Sequence, residues 1–433
     1  MILRHRHQSY FQMKFNKLTT KISYKELLLT ILVLLSIHFT EFKIGVVKLS
    51  EIILPLLPPF FYSKKINKWC LYFYYLFFLW LIVSLSLNIF REFPLLKGLS
   101  PLKNPYLITV GRFLELLACI NLVALTIFYF KNKSQRRIVQ FVKRIVFISF
   151  VLIIINSLAY VLVVYGILSN SDLVYITFSN DYRLKGGFVE GGPYGLMLSF
   201  IFVLSFLYKS KLNIAIRLFL IFNIVFFAKS KAGILLLVIW MIIYYYKTVY
   251  RKIRSLSFVV LILGGIIAMV SFAKLADVYI DHIQNMEQYV SERPNDTSLI
   301  MGRIAGSHIV PKMILDNPIF GIGLGNYPLQ RNLKKYRSFI PKSPPGKTDA
   351  HGLGGVFQLL VDGGLFMFFL FCLILFFLAK KTLSLKNNME IFLFVFPCFF
   401  LTGVQIYFLY PWFLLGILIC INNKCHEKTR ISS

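Results

Sequence analysis

The chain has 433 residues, of which 57% are hydrophobic, 17% aromatic and only 15% charged, and its mean hydropathy is +0.70. So few charges cannot cover an ordinary globular enzyme, and so much apolar surface excludes a disordered or fibrous chain. The net charge of +30 would suggest nucleic-acid affinity in a soluble protein. Here the cations fall in short clusters between apolar runs, as in loops facing anionic lipid, so no nucleic-acid partner is expected.

In chain order, a basic tail (1–24) precedes the apolar run Leu27–Phe39. No small-x-small cleavage site follows that run, so it reads as a first membrane anchor. A crossing takes about 20 apolar residues, and by that measure the chain holds about twelve spans. They fall at 25–42, 44–62, 69–90, 105–130, 144–168, 190–208, 212–228, 231–247 and 256–273, then at 352–379, 388–404 and 406–422. The reading is an all-α polytopic membrane protein: a bundle over 25–273, one long outer loop over 274–350, further spans over 351–422, and a short tail, 423–433. Pro55, Pro58 and Pro59 make the end of the second span irregular. Thr402–Gln405 and Pro411 separate the last two spans.

Orientation follows from Lys and Arg bias. Ser63–Lys68, Lys131–Arg144, Lys209–Lys211, Lys247–Arg254 and Lys380–Lys386 are all basic, which places them and both tails in the cytoplasm. Three outer regions break the rule: Arg91–Lys103, the turn Lys229-Ser230-Lys231, and the long loop. Two lysines around one serine between spans cost insertion energy unless they have a partner.

Six cysteines show no CxxC or metal-ligand spacing, so neither a disulfide framework nor zinc is expected. Asp277 and Asp281, beside His282, give a weak metal signal at most. Within the long loop, Leu299–Leu315 reads as an amphipathic helix in the interfacial plane. It is capped from Asp296–Ser298, kinked at Pro311 and stopped by Asp316-Asn317-Pro318. Gly321-Ile322-Gly323-Leu324-Gly325 follows without a surrounding strand–turn–helix unit. It is either a turn allowing close backbone approach or a nest for phosphate.

The stretch Arg303 … Pro318-Ile319-Phe320-Gly321-Ile322-Gly323-Leu324-Gly325-Asn326-Tyr327, followed by Asp349-Ala350-His351-Gly352 … Gln358-Leu359-Leu360-Val361-Asp362-Gly363-Gly364, resembles the O-antigen ligase and O-antigen polymerase superfamily of integral membrane glycosyltransferases. Upstream, Lys185-Gly186-Gly187-Phe188 resembles that family's Gly-x-Phe segment, and Lys229-Ser230-Lys231 its Ser-Arg turn. Lys231 replaces the usual Arg, and Gly352 the usual Asn.

The resemblance implies a multi-pass bacterial inner-membrane enzyme whose active site faces the periplasm. It implies transfer of glycan from an undecaprenyl-diphosphate carrier, without metal or cofactor. Its partners are the lipid-linked oligosaccharide and membrane lipid, with a chain-length regulator protein left open. Lys229, Lys231 and Arg303 would bind the diphosphate and stabilise the leaving group. The bland alternative for the lysines is snorkelling to headgroups. His351, at a helix N-terminus that disfavours imidazolium, would act as base, with Arg303 beside it in the catalytic set. Glu190, Arg183, Asp349, Gly323 and Gly325 are expected at the substrate. Glu190 and Asp349 each have a helix-capping alternative. A polymerase is the leading expectation, a ligase to the lipid A core its sister, and a lipid-linked oligosaccharide transporter the alternative of another class.

Overall fold

The computed structural model describes residues 23–40, 43–44, 47–48, 54, 66–91, 93, 104–168, 178–179, 183–253, 284–292, 300, 302–343, 353–383 and 390–431. It divides into two compact units, Met1–Ser50 with Tyr129–Ile234, and Glu51–Phe128 with Leu235–Ser433.

The first unit is built on α1 (Tyr24–His38), α4 (Gln135–Val164), α5 (Gly191–Leu204) and α6 (Asn213–Phe222), and α7 (Lys231–Ile253) begins in it. Two small antiparallel hairpins accompany them, β1–β2 (Lys43–Ile44 with Val47–Lys48) and β3–β4 (Phe178–Ser179 with Arg183–Leu184). The first hairpin occupies the start of the predicted second span, so no helix begins at residue 44. The rest of that span, apart from Leu54, lies outside the described residues.

α4 also departs from the sequence reading. It starts at Gln135, inside the stretch read as a basic loop, because its cations have a use there. Ser134 caps it by accepting from Arg137 N at 3.3 Å. Glu26 of α1 is almost fully buried and accepts from Arg137 Nη2 at 2.5 Å, Arg144 Nη1 at 2.6 Å and the Tyr129 hydroxyl at 2.8 Å. A buried carboxylate would be costly unless charge-paired on several sides. The first turns of α4 therefore form helix to reach Glu26.

The second unit contains α2 (Lys68–Phe90), α3 (Pro105–Phe130), α12 (Gly355–Leu383), α13 (Glu390–Leu401) and α14 (Leu409–Ile431). Its core packs Phe73, Phe77, Phe371 and Phe396 edge-on around Trp412, with ring centroids 5.3–6.3 Å apart. Such tilted aromatic packing is favourable beyond area burial. Between α13 and α14 the chain turns at Gly403 (φ +97°), which separates the last two predicted spans.

Among the described residues, α2, α3, α4 and Gly355–Thr382 of α12 are long and apolar enough to cross a membrane. Shorter apolar helices occupy Gly191–Leu207, Asn213–Phe227, Lys231–Tyr245 and Phe392–Leu401, at predicted span positions. The predicted span 256–273 lies outside the described residues.

The described part of the long loop is folded. α8 (Met286–Glu292), α9 (Arg303–Asp316), α10 (Tyr327–Gln330) and α11 (Lys334–Arg337) enclose a small core that includes Met286, Ile309, Met313, Ile322, Tyr336 and, from α12, Val361. α9 begins at Arg303, later than expected, and contains Pro311. Its apolar face is covered by protein, a different fate from the interfacial placement expected of it.

Candidate functional site

In the first unit, the Lys229 turn is a rigid construction. A π-helical stretch, Asn223–Phe227, ends α6, and Ala228 N donates to Asn223 O at 2.8 Å. Lys229 then takes φ +46°, a left-handed conformation that costs a non-glycine residue about 1–2 kcal/mol. Three contacts hold it there. Arg183 Nε donates to Ala228 O and Arg183 Nη2 to Lys229 O, both at 3.0 Å. Ser230 N donates to Ile224 O at 3.0 Å. Buried Ser230 Oγ donates to Gly192 O at 3.0 Å and accepts from Gly233 N at 3.1 Å. Ser230 fits only because Gly195 faces it; a side chain there would overlap the serine's own Cβ.

The result is a buried serine between two exposed lysines, with Arg183 strapped across the same backbone. Glu190 stands at the N-cap position of α5, yet its exposed carboxylate makes no capping hydrogen bond. Gly191, its neighbour, packs against Ala228 O and Arg183 Cβ. The structure thus gathers Arg183, Glu190, Lys229 and Lys231 around one turn.

In the second unit the glycine run docks into a broken helix. Gly364 (φ +64°, ψ −170°) interrupts α12. In an unbroken helix, Leu365 N and Phe366 N would donate to the carbonyls of residues 361 and 362. Here they donate instead to Pro318 O at 2.8 Å and Ile319 O at 3.0 Å. The two released carbonyls are taken up by Ile322 N, donating to Val361 O at 2.7 Å, and Gly323 N, donating to Asp362 O at 3.0 Å. These four backbone groups at the break find replacements in the turn, as an apolar surrounding demands.

The crossing needs glycine on both sides. A Cβ on Gly321 would lie 2.5 Å from Val361 O and 2.6 Å from Gly364 N, and one on Gly364 would strike Ile319 O. The remaining N–H groups of the turn are also spent. Leu324 N donates to Ser84 Oγ at 2.9 Å, and Gly325 N to Asp362 Oδ2 at 3.2 Å. Gly323 and Gly325 therefore use their N–H groups within the protein, which makes the run a packing element and leaves no phosphate nest there.

Side chains that sequence reading did not single out hold this turn. Asn88 Oδ1 accepts from Asn326 Nδ2 at 2.7 Å, and Thr109 Oγ1 donates to Leu324 O at 3.0 Å. Buried Asp362 also accepts from the Tyr407 hydroxyl at 3.2 Å, and Arg112, paired with Glu115 at 2.6 Å, lies over the Tyr407 ring. The available signal was Ser84 and Asn88, polar residues one turn apart near the end of an otherwise apolar span. Arg91 adds an outer strap, donating from Nη2 to Asn317 Oδ1 at 2.7 Å and Gly321 O at 2.8 Å.

Of the other expected site residues, Arg303 opens α9, but its side chain lies outside the described residues, as do His351 and Asp349. So do Asp277, Asp281 and His282. α12 begins at Gly355, after a turn through Gly354 (φ +69°), rather than at His351. The loop cations that are described mostly serve structure. Arg337 is buried, donates to Ile300 O at 2.6 Å, and is pushed down to about 10 by its burial and by Arg331. Lys335 donates to Asp316 at 2.8 Å.

Residues 216–372 match the family model described as O-antigen ligase. The match spans the lysine turn, α9, the glycine run and the broken helix, a little over a third of the chain, and over that stretch the chain is similar to the O-antigen ligase family. No curated protein matches the chain significantly.

Proposed function

We propose that the chain polymerises lipid-linked glycan repeat units at the periplasmic face of the inner membrane, with an undecaprenyl-diphosphate-linked oligosaccharide as donor. The observation that carries this reading is the Lys229–Lys231 turn. Lysines that only anchor a helix to headgroups need no left-handed residue, no arginine strap and no serine seated against glycine. A turn over-determined in this way holds the backbone of both lysines in place and leaves their side chains exposed on either side of Ser230. A diphosphate leaving group gains most from such positive charge as its bond to the anomeric carbon breaks.

In the proposed step, His351 takes the proton of the acceptor hydroxyl, whose oxygen attacks the anomeric carbon of the donor. The bond from that carbon to the diphosphate oxygen breaks, and its electron pair stays on the diphosphate. Lys229, Lys231 and Arg303 compensate the developing charge, Arg303 by a bidentate contact. Glu190, whose carboxylate makes no capping bond, is available to sugar hydroxyls, and Asp349 would orient the imidazole. The donor already carries its activated bond, so the step needs no metal or nucleotide.

The ligase reading, transfer to the lipid A core, keeps the same chemistry and changes the acceptor. The description of the matched family favours it. The banding of lipopolysaccharide from a deletion strain separates the two: loss of a polymerase leaves one repeat unit on the core, and loss of a ligase leaves the core uncapped. Purified protein given lipid-linked oligosaccharide should lengthen or transfer the glycan. If it only moves the lipid across a bilayer, the chain is a transporter. His351→Ala should abolish extension at unchanged protein level, and normal polymer in that variant removes His351 from the step.

A further inference from the structure

In the folded part of the long loop, one short segment is fastened more firmly than a surface turn requires. Arg337 is buried and donates from Nε to Pro341 O and from Nη2 to Ile300 O. Asn332 holds the far end: its Nδ2 donates to Ser343 O, and Ser343 N donates to its Oδ1, both at 2.9 Å. Tyr336 and Ile340 are packed into the small loop core. Between these fastenings Ser338 takes φ +56° and ψ −119°, a conformation that a residue with a Cβ rarely adopts. Such strain persists only where the surroundings over-determine it, and it clusters at ligand sites.

The side chain displayed by this segment is Phe339. Its ring is 36% exposed and stands beside the imidazole of His308 on α9, with ring centroids 5.3 Å apart and planes tilted by 59°. His308 is held in turn. Lys312, one turn further along α9, donates from Nζ to His308 Nε2 at 2.6 Å. An ammonium has no lone pair, so Nε2 accepts, and the proton of the neutral ring stands on Nδ1. Burial, then the Lys312 charge, favours that neutral ring. Among the described residues nothing accepts from Nδ1. A hydrogen-bond donor of set tautomer thus adjoins an exposed aromatic ring on a fixed backbone.

We infer that Phe339 and His308 form a subsite for one sugar ring of the glycan, its C–H face against the Phe339 ring and one of its oxygens accepting from His308 Nδ1. This rests on the glycan-transfer reading above. A sugar ring offers both surfaces at once: C–H groups, which the negative face of an aromatic ring attracts, and oxygens around its rim. A rigid aromatic contributes contact area without losing side-chain freedom on binding. An anchor in the lipid interface needs only an apolar side chain. It would gain nothing from a strained serine before it or from a neighbouring imidazole with a set tautomer.

The test uses the full chain in detergent. The probe is the oligosaccharide released by mild acid from the lipopolysaccharide of the source strain, free of its lipid carrier, and binding is read by saturation-transfer NMR titration. Phe339→Leu keeps an apolar side chain and removes the ring. It should weaken binding on the order of 10-fold, and Phe339→Trp should retain it. His308→Ala should weaken binding about 2- to 10-fold, as loss of one hydrogen bond does. Unchanged α9 hydrogen exchange in Phe339→Leu would show that the fold is kept. No binding by the wild-type chain, or wild-type binding by Phe339→Leu, overturns the subsite. If the wild-type chain still transfers lipid-linked glycan in that case, the glycan-transfer reading stands without it. If instead the probe binds and is lost in Phe339→Leu, yet the wild-type chain neither lengthens nor transfers glycan, the subsite stands and the transfer reading falls.

Discussion

Gly321→Ala tests the helix-break docking directly. The added Cβ would meet Val361 O at 2.5 Å, Gly364 N at 2.6 Å and the Asp362 carbonyl carbon at 2.7 Å. All three are backbone atoms of a packed helix, so no rotamer change relieves the overlap. Displacing the turn forfeits four intersegment hydrogen bonds. α12 can recover two of them by resuming its own ladder, so the net loss is two bonds, about 1–3 kcal/mol. Alanine at φ +64° adds about 1 kcal/mol. The expected destabilisation is therefore about 2–4 kcal/mol. Hydrogen exchange should show it locally, with faster exchange at Ile322 and Gly323 and a change in protection at Leu365 and Phe366 as α12 rewinds. Glycan extension should fall with it. Gly111→Ala is the control, since a Cβ there meets nothing within 4 Å. Wild-type protection of Ile322 and Gly323 in Gly321→Ala, with normal extension, would refute the idea that the turn and the break are one unit.

The remaining predictions concern single side chains. Asp362→Ala strands the Gly325 N–H and the Tyr407 hydroxyl and should cost about 2–6 kcal/mol in thermal or denaturant unfolding, whereas Asp362→Asn retains an acceptor and should cost much less. Equal losses would mean that the carboxylate's hydrogen bonds do not hold the turn. Lys231→Arg should preserve extension and Lys231→Glu should abolish it; full activity with Glu would make Lys231 a headgroup anchor. His308 accepts from Lys312 Nζ at 2.6 Å, and burial, then the Lys312 charge, lowers its pKa below the ordinary 6.5. The unfolded chain therefore binds this proton more readily than the folded one. The folded loop should keep its full stability above pH about 6.5 and lose part of it as the pH falls below that value. His308→Gln should flatten that dependence of α9 exchange, and an identical slope in both proteins would exclude His308 as its source.

The apolar helices were legible because hydropathy needs no partner: the predicted 69–90 and 105–130 compare with the observed Lys68–Phe90 and Pro105–Phe130. What stayed hidden depends on residues distant in the sequence. The early start of α4 rests on Glu26, more than 100 positions away, and a hydropathy window reads Arg137 and Arg144 only as charge. The glycine run was visible as a turn, but its conformation depends on a second glycine in α12, and a gap in another helix is not written locally. Likewise, Ser84, Asn88 and Thr109 looked like tolerated polar residues in spans until the turn they hold was in place. The Lys229 turn could be suspected from insertion cost alone. Arg183 as its strap, with Gly195 as the space that seats Ser230 and Gly233 as the room for the Gly195 carbonyl, could not.

Counting cations therefore overstates the anion-binding surface of such a chain. Arg91 binds Asn317 and Gly321, Arg337 carbonyl oxygens, and Lys335 a carboxylate. Each is consumed in holding the folded part of the long loop in place, and Arg337 is buried against the preference of its charge for water. Lys229 and Lys231 show the opposite arrangement. The structure around them is spent on the backbone and on Ser230, and both ammonium groups are left exposed. A cation that supports a fold has its hydrogen bonds filled by that fold. A cation meant for a ligand must have its backbone held by other groups while its own charge stays available. By that criterion Lys229 and Lys231 are the described cations left available to a diphosphate, whereas Arg91, Lys335 and Arg337 serve the fold of their own unit.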